Sequence, residues 1–142
     1  NTLQWKDDGS ARADNTDLPG FESVLSELGI SPETPVVLWG GGGTAAMVRE
    51  LLPGVVEYSA REGAPRDSGT SAVSPEVVIW GVGRSLFNGF FPPEQWRPRI
   101  VLDLNYAEDS PGREYALRLG IGNVRYVSGL GLFEAQAALQ FT

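Results

Sequence analysis

The run Gly40-Gly41-Gly42-Gly43-Thr44-Ala45 lies between an apolar β-type stretch, residues 35–39, and a helical pattern, residues 46–52. A glycine-rich strand-to-helix turn lets backbone N–H groups close on phosphate oxygens. Read as Gly40-x-Gly42-x-x-Ala45, the run fits the dinucleotide fingerprint: the first glycine makes the tight turn, the second lets a diphosphate approach, and the small third residue lets helix and strand pack closely. The start of the following helix adds partial positive charge. The second strand of such a fold ends in the residues that choose the nucleotide, and here that end reads Tyr58-Ser59-Ala60-Arg61, with Arg66 following. No carboxylate occupies the tip to take ribose hydroxyls, whereas an arginine there accommodates a 2′-phosphate, so the spacing favours NADP over NAD. A charged hydrogen bond from Arg61 is worth roughly 1.5–3 kcal/mol, a preference of about ten- to a hundred-fold. The competing reading makes Arg61 a solvated loop charge, with Glu57 or Glu62 as the acid that matters.

Composition removes several chemistries. The 142 residues contain no histidine and no cysteine, so proton transfer falls to Asp, Glu, Lys, Tyr or water, and thiolate nucleophiles, thiolate metal sites and disulfides are excluded. The absence of cysteine is compatible with a cytoplasmic location. No metal site is expected. Lys6 is the only lysine and has no tyrosine near it in sequence, which excludes a Tyr–Lys pair one helical turn apart. A methyltransferase using S-adenosylmethionine would want an acid at the second strand end and fits poorly. The net charge of −7 argues against an extended nucleic-acid footprint. No apolar run approaches the ~20 residues of a membrane span. The chain opens on Asn1 and has one methionine, Met47, and we read it as a piece of a longer protein.

The elements that position these residues follow from periodicity. Residues 1–5 and 11–13 flank a polar turn ending in Gly9 and predict a hairpin. Asn15-Thr16-Asp17 offers an N-cap, Pro19 suits a first helical turn, and Phe21, Val24, Leu25 and Leu28 recur at helical spacing before Gly29. From residue 35 onward short β-branched runs alternate with helical patterns, the mark of a parallel sheet covered by helices on both faces. Strands are expected at 36–39, 55–59, 77–80, 100–104 and 124–127, and helices at 44–52, 110–119 and 132–141. Residues 61–75 are rich in Gly, Ser, Pro and Ala and predict a loop where a second helix usually lies. Residues 87–99, with Pro92-Pro93 and several aromatics, predict a short helix or turn laying rings on the sheet.

Beyond the glycine turn, Asn1-Thr2-Leu3, Asn15-Thr16-Asp17 with Pro19-Gly20-Phe21, Asp103-Leu104-Asn105-Tyr106, and Gly129-Leu130-Gly131-Leu132 with Gln136-Ala137-Ala138 resemble the shikimate dehydrogenase family in identity, order and spacing. The resemblance covers nearly the whole chain. It implies a Rossmann-like doubly wound α/β sheet, with residues 1–16 as the tail end of a substrate-binding domain and 17–142 as an NADP-binding domain. The reaction implied is reversible hydride transfer between NADPH and 3-dehydroshikimate, giving shikimate, with a homodimer left open.

Residue by residue, the resemblance implies that Asn1 and Gln136 hold substrate and that Asp17 pairs with a catalytic lysine. It places Tyr106 near the substrate and has Gly129 and Gly131 line the nicotinamide. Gly40, Gly41, Gly42, Gly43, Thr44, Ala45, Ser59 and Arg61 complete the expected cofactor site. A Lys–Asp pair suits this chemistry, because a carbonyl accepting hydride needs its oxygen protonated, and a polyol rewards carboxylate and amide partners. The family's catalytic lysine lies upstream of its Asn-Thr pair, so this piece alone is expected to be inactive. Two segments depart from the family pattern: Trp80-Gly81-Val82-Gly83 stands where Thr and Pro usually precede glycine, and Ser59-Ala60-Arg61 only loosely echoes Asn-Arg-Thr. Those departures motivate an alternative, a non-catalytic relative that keeps the scaffold for nucleotide binding or sensing.

Overall fold

The computed structural model describes residues 3–5, 11–13, 17–67, 74–82, 89–105, 110–120 and 122–129, with the backbone alone described for 3–5, 11–13 and Asp17. The expected hairpin forms from β1 (Leu3–Trp5) and β2 (Ala11–Ala13), paired antiparallel with Leu3 opposite Ala13. Helix α1 (Asp17–Glu27) follows, and its end is built by Gly29 at φ 70°. There the Gly29 N–H donates to the Ser26 carbonyl (3.1 Å) and the Ile30 N–H to the Leu25 carbonyl (2.9 Å). This pair of bonds is a Schellman stop, and its hydrophobic partners Leu25 and Ile30 are both buried in the same core cluster.

The main sheet has six strands in the order β5-β4-β3-β6-β7-β8. They are β3 (Val36–Trp39), β4 (Val56–Ser59), β5 (Ala64–Pro65), β6 (Val77–Trp80), β7 (Ile100–Asp103) and β8 (Arg125–Val127). β3 pairs in parallel with β4 on one side and β6 on the other, so the strand order reverses around it. β3, β6 and β7 are buried at every residue, as expected of apolar strands covered on both faces. Contrary to expectation, residues 61–75 are not only loop: Ala64–Pro65 returns antiparallel along β4, pairing Pro65 with Tyr58. Proline lacks a backbone donor and is tolerated on an edge strand, which is why a Gly- and Pro-rich stretch with no apolar period still adds to the sheet.

Alternation along the strands sends Val36, Leu38, Val77, Ile79, Ile100 and Leu102 to one face. Phe21, Val24 and Leu25 of α1 pack there, with Ala45 and Val48 of α2 (Ala45–Leu51). The other face takes Val37, Trp39, Val78, Trp80 and Val101, under Tyr115 and Ala116 of α3 (Pro111–Leu119). Residues 89–99 form no helix. They lay Trp96 edge-on to Trp39 and Tyr58 (6.0 and 5.2 Å between ring centres) and Phe91 against Trp80 (5.8 Å). The helix expected at 132–141 lies outside the described residues.

Candidate functional site

The carboxyl ends of β4, β3, β6 and β7 stand side by side, and parallel pairing continues one residue past the strands. The Gly40 N–H donates to the Tyr58 carbonyl (3.0 Å), the Gly81 N–H to Trp39 (2.9 Å) and the Leu104 N–H to Trp80 (3.0 Å). The loops that follow therefore share one edge at the point where strand order reverses, the place at which open α/β sheets bind their ligands.

The glycine turn departs from β3 at this point, and its residues are not equivalent. Gly40 has φ 80° and a Cβ on it would stand 2.1 Å from Val82 Cγ2; Gly41 has φ 125° and a Cβ there would stand 2.8 Å from Leu38 Cδ2. These two glycines are required by the protein's own packing. Gly81 answers from the next strand, where a Cβ would meet the Gly41 backbone at 2.7 Å. At Gly42 and Gly43, by contrast, a Cβ would meet nothing within 4 Å, and both residues are exposed. The backbone is thus open to solvent where the fingerprint calls for a diphosphate, and the residues present fit such a group.

A 3₁₀ turn, Gly42–Thr44, leads into the seven-residue α2, which starts one residue later than the sequence predicts. Thr44 explains this: its hydroxyl donates to the Gly41 carbonyl (2.7 Å) and its N–H to the same oxygen (2.8 Å), tightening the turn. No side chain caps the turn or the helix, and no acidic residue stands in their first turns. Ala45 is buried against the sheet, as its fingerprint position requires.

At the β4 tip, Ser59 accepts a hydrogen bond from the Glu62 N–H (3.2 Å) and so shapes the turn that presents Arg61. Arg61 is exposed. Glu57, one of the two acids that compete with an arginine reading, is held by Arg49 of α2 (Nε to Oε2, 2.9 Å). Gly129, at the far end of the edge, is buried, and its N–H donates to the Asn105 carbonyl (2.9 Å). A Cβ there would stand 2.8 Å from the carbonyl oxygens of Leu104 and Asn105.

Sequence reading gave no role to one buried cluster. Asp103, fully buried at the end of β7, is the acceptor for four donors: the Ser110 hydroxyl (2.5 Å), the Tyr126 hydroxyl (2.6 Å), and the Asn105 N–H and side-chain amide (3.0 and 2.8 Å). The same Asn105 amide reaches the Val82 carbonyl (2.9 Å), which also accepts from the Trp80 indole (2.8 Å). Ser110 in turn caps α3 by accepting from the Gly112 N–H (3.1 Å). Burial, the hydrogen bond to Asp103 and its charge together push the Tyr126 hydroxyl well above the ordinary tyrosine range. The network ties the loops after β6, β7 and β8 together, Gly129 included. Its sequence signal was a lone carboxylate closing an apolar strand, followed by Asn105 and Ser110.

Asp17 is the first residue of α1. Asn1, Tyr106, Gly131 and Gln136 lie outside the described residues. Among the described residues no group of acidic side chains is arranged to hold a metal, and no helix is long and apolar enough to cross a membrane.

No family model matches the chain. The NADP(+) shikimate dehydrogenase of Actinobacillus pleuropneumoniae serotype 5b (strain L20) is 30% identical over 166 aligned positions, which take in 99% of this chain and 60% of that enzyme. The chain matches the shikimate dehydrogenases along nearly its whole length. A chorismate mutase/shikimate 5-dehydrogenase fusion protein from Clostridium acetobutylicum shares the fold with a TM-score of 0.64 at 22% identity, over 98% of this chain and 57% of that one. Shikimate 5-dehydrogenase from Thermus thermophilus, solved with NADP(H) and shikimate, gives 0.59 at 21% identity, over 98% and 59%. The chain spans about 60% of the length of the curated shikimate dehydrogenase it matches. Asp103 and Asn105, which belong to the sequence segment 103–106 on which the resemblance rests, are the hub of the buried network described above.

Proposed function

We propose that this chain is the cofactor-binding part of an NADP-dependent shikimate dehydrogenase, with residues 1–16 finishing a substrate-binding domain and 17–142 forming the NADP-binding domain. The observation that carries this reading is the Gly40–Ala45 turn, placed where strand order reverses and open at Gly42 and Gly43 while Gly40 and Gly41 are closed by packing. The names of the Actinobacillus and Thermus relatives support it, since they record NADP and shikimate.

In this reading Gly42, Gly43 and Thr44 hold the diphosphate through backbone N–H groups, and Ser59 and Arg61 receive the 2′-phosphate side. Gly129 and Gly131 line the nicotinamide, which supplies or accepts the hydride. Asn1, Tyr106 and Gln136 position the ring hydroxyls of shikimate. Asp17 pairs with a lysine of the upstream segment, and its place in the first turn of α1 suits a carboxylate, because the helix dipole favours negative charge there. That pair holds the proton delivered to the carbonyl oxygen of 3-dehydroshikimate. The compartment in this reading is the cytoplasm.

Joining the chain to its upstream segment and following shikimate-dependent reduction of NADP⁺ tests the proposal. Asp17→Asn is expected to lower kcat by about 10²-fold or more, as for a lost proton-transfer partner, while leaving NADP affinity unchanged. A fully active Asp17→Asn enzyme refutes the role. The non-catalytic alternative rests on the departures from the family pattern at Trp80-Gly81-Val82-Gly83 and Ser59-Ala60-Arg61. No shikimate-dependent turnover together with intact nucleotide binding is the result that reading expects.

A further inference from the structure

The face of the sheet that carries α3 holds a cavity of about 620 Å³, and none of the residues assigned to NADP or shikimate lines it. It lies between residues 89–97, which form no helix, and α3. Its walls are Phe90, Phe91, Glu94 and Arg97 from that crossover and Tyr115 and Arg118 from α3.

These walls combine flat apolar surface with fixed cations. Phe91 and Tyr115 both lie against Trp80, at 5.8 and 6.1 Å between ring centres. The Arg118 guanidinium stands 3.9 Å over the Phe91 ring and pairs with Glu114 at 3.1 Å. Arg97 is anchored through Nη1 to the carbonyls of Glu94 and Trp96. Tyr115 is 3% exposed, and its hydroxyl is buried without a hydrogen-bond partner, the one such side-chain atom found among the described residues. An orphaned buried hydroxyl is uncommon and calls for a partner. Burial raises Tyr115 to about 12, and the charge of Arg97 pulls the other way, so the two groups sense each other.

We infer that this cavity is a binding site for a flat ring bearing one carboxylate, with the ring against the exposed Phe90, the carboxylate on Arg97 and the Tyr115 hydroxyl as a second donor. Glu94 also lines the cavity and Glu114 neutralises Arg118, so the lining suits a single negative charge on Arg97 and disfavours a dianion such as phosphate. The site does not depend on the nucleotide reading.

Calorimetric titration of the 142-residue chain with benzoate, and with benzamide as its uncharged counterpart, tests this without any cofactor. Benzoate is expected to bind saturably and benzamide at least ~10-fold more weakly, the scale of one charge-assisted hydrogen bond. Arg97→Ala, at an exposed position, is expected to weaken benzoate by about ten-fold or more. Tyr115→Phe keeps the ring packing and is expected to weaken benzoate several-fold without lowering the Tm. Absence of saturable benzoate binding, equal affinity for benzamide, or benzoate affinity unchanged in either variant would overturn the site and leave the cavity a packing gap.

Discussion

At Gly40 and Gly42 the same substitution has two different consequences, and the difference separates packing from ligand binding. Both residues have positive φ, so alanine at either costs about 1–2 kcal/mol of backbone strain. At Gly40 the new methyl also collides with Val82, adding about 1–3 kcal/mol of overpacking, and urea unfolding of Gly40→Ala should show a loss of about 3 kcal/mol. Gly42→Ala meets no atom within 4 Å and should lose only the strain, yet bind NADP much more weakly because the methyl occupies diphosphate space. Equal losses of stability in the two variants would contradict this division. The sequence made the turn visible through its glycines, but it did not show that Gly41, a variable position of the fingerprint, is as constrained as Gly40.

The loops and strand ends on the β7 side of the carboxyl edge are tied together by buried polar contacts. Asp103→Asn replaces an acceptor by an amide donor facing hydroxyl and N–H donors, and a cost of about 2–4 kcal/mol is expected from the unsatisfied groups. Tyr126→Phe removes one of the bonds to Asp103 and should cost about 1 kcal/mol. Urea denaturation of both variants checks the order; a harmless Asp103→Asn would show that the network contributes nothing. Strands β3, β6 and β7 and helices α1 and α3 were legible in the sequence because the apolar period, with Gly29 after α1 and Gly120 after α3, agrees with the tertiary structure. β5 was not legible, since two residues in a Gly- and Pro-rich run carry no period and gain strand geometry only from β4. The role of Asp103 was hidden for a similar reason: its partners Tyr126, Asn105 and Ser110 converge only after β7, β8 and α3 have packed.

For the whole molecule, the missing histidine and cysteine and the single lysine leave few groups to titrate near neutrality. Stability should therefore vary little between about pH 6 and 9. Above that, the buried tyrosines take over. Tyr115 is raised to about 12, and Tyr58 and Tyr126 are also raised, by burial first, so the folded chain holds these protons more tightly than the unfolded chain does. The stability they provide is complete below about pH 10, the unfolded tyrosine value, and is lost as pH rises toward and through the folded values. Denaturant midpoints measured from about pH 6 to about pH 12 should be level and then fall, less steeply in Tyr126→Phe.

The central claim concerns the nucleotide at the carboxyl edge, and titrating the chain with NADP and with NAD tests it most directly. The glycine turn and Arg61 predict saturable binding of both, with NADP tighter by about ten- to a hundred-fold and the difference removed by Arg61→Ala. Equal, weak binding of NADP and NAD that Arg61→Ala leaves unchanged would contradict it.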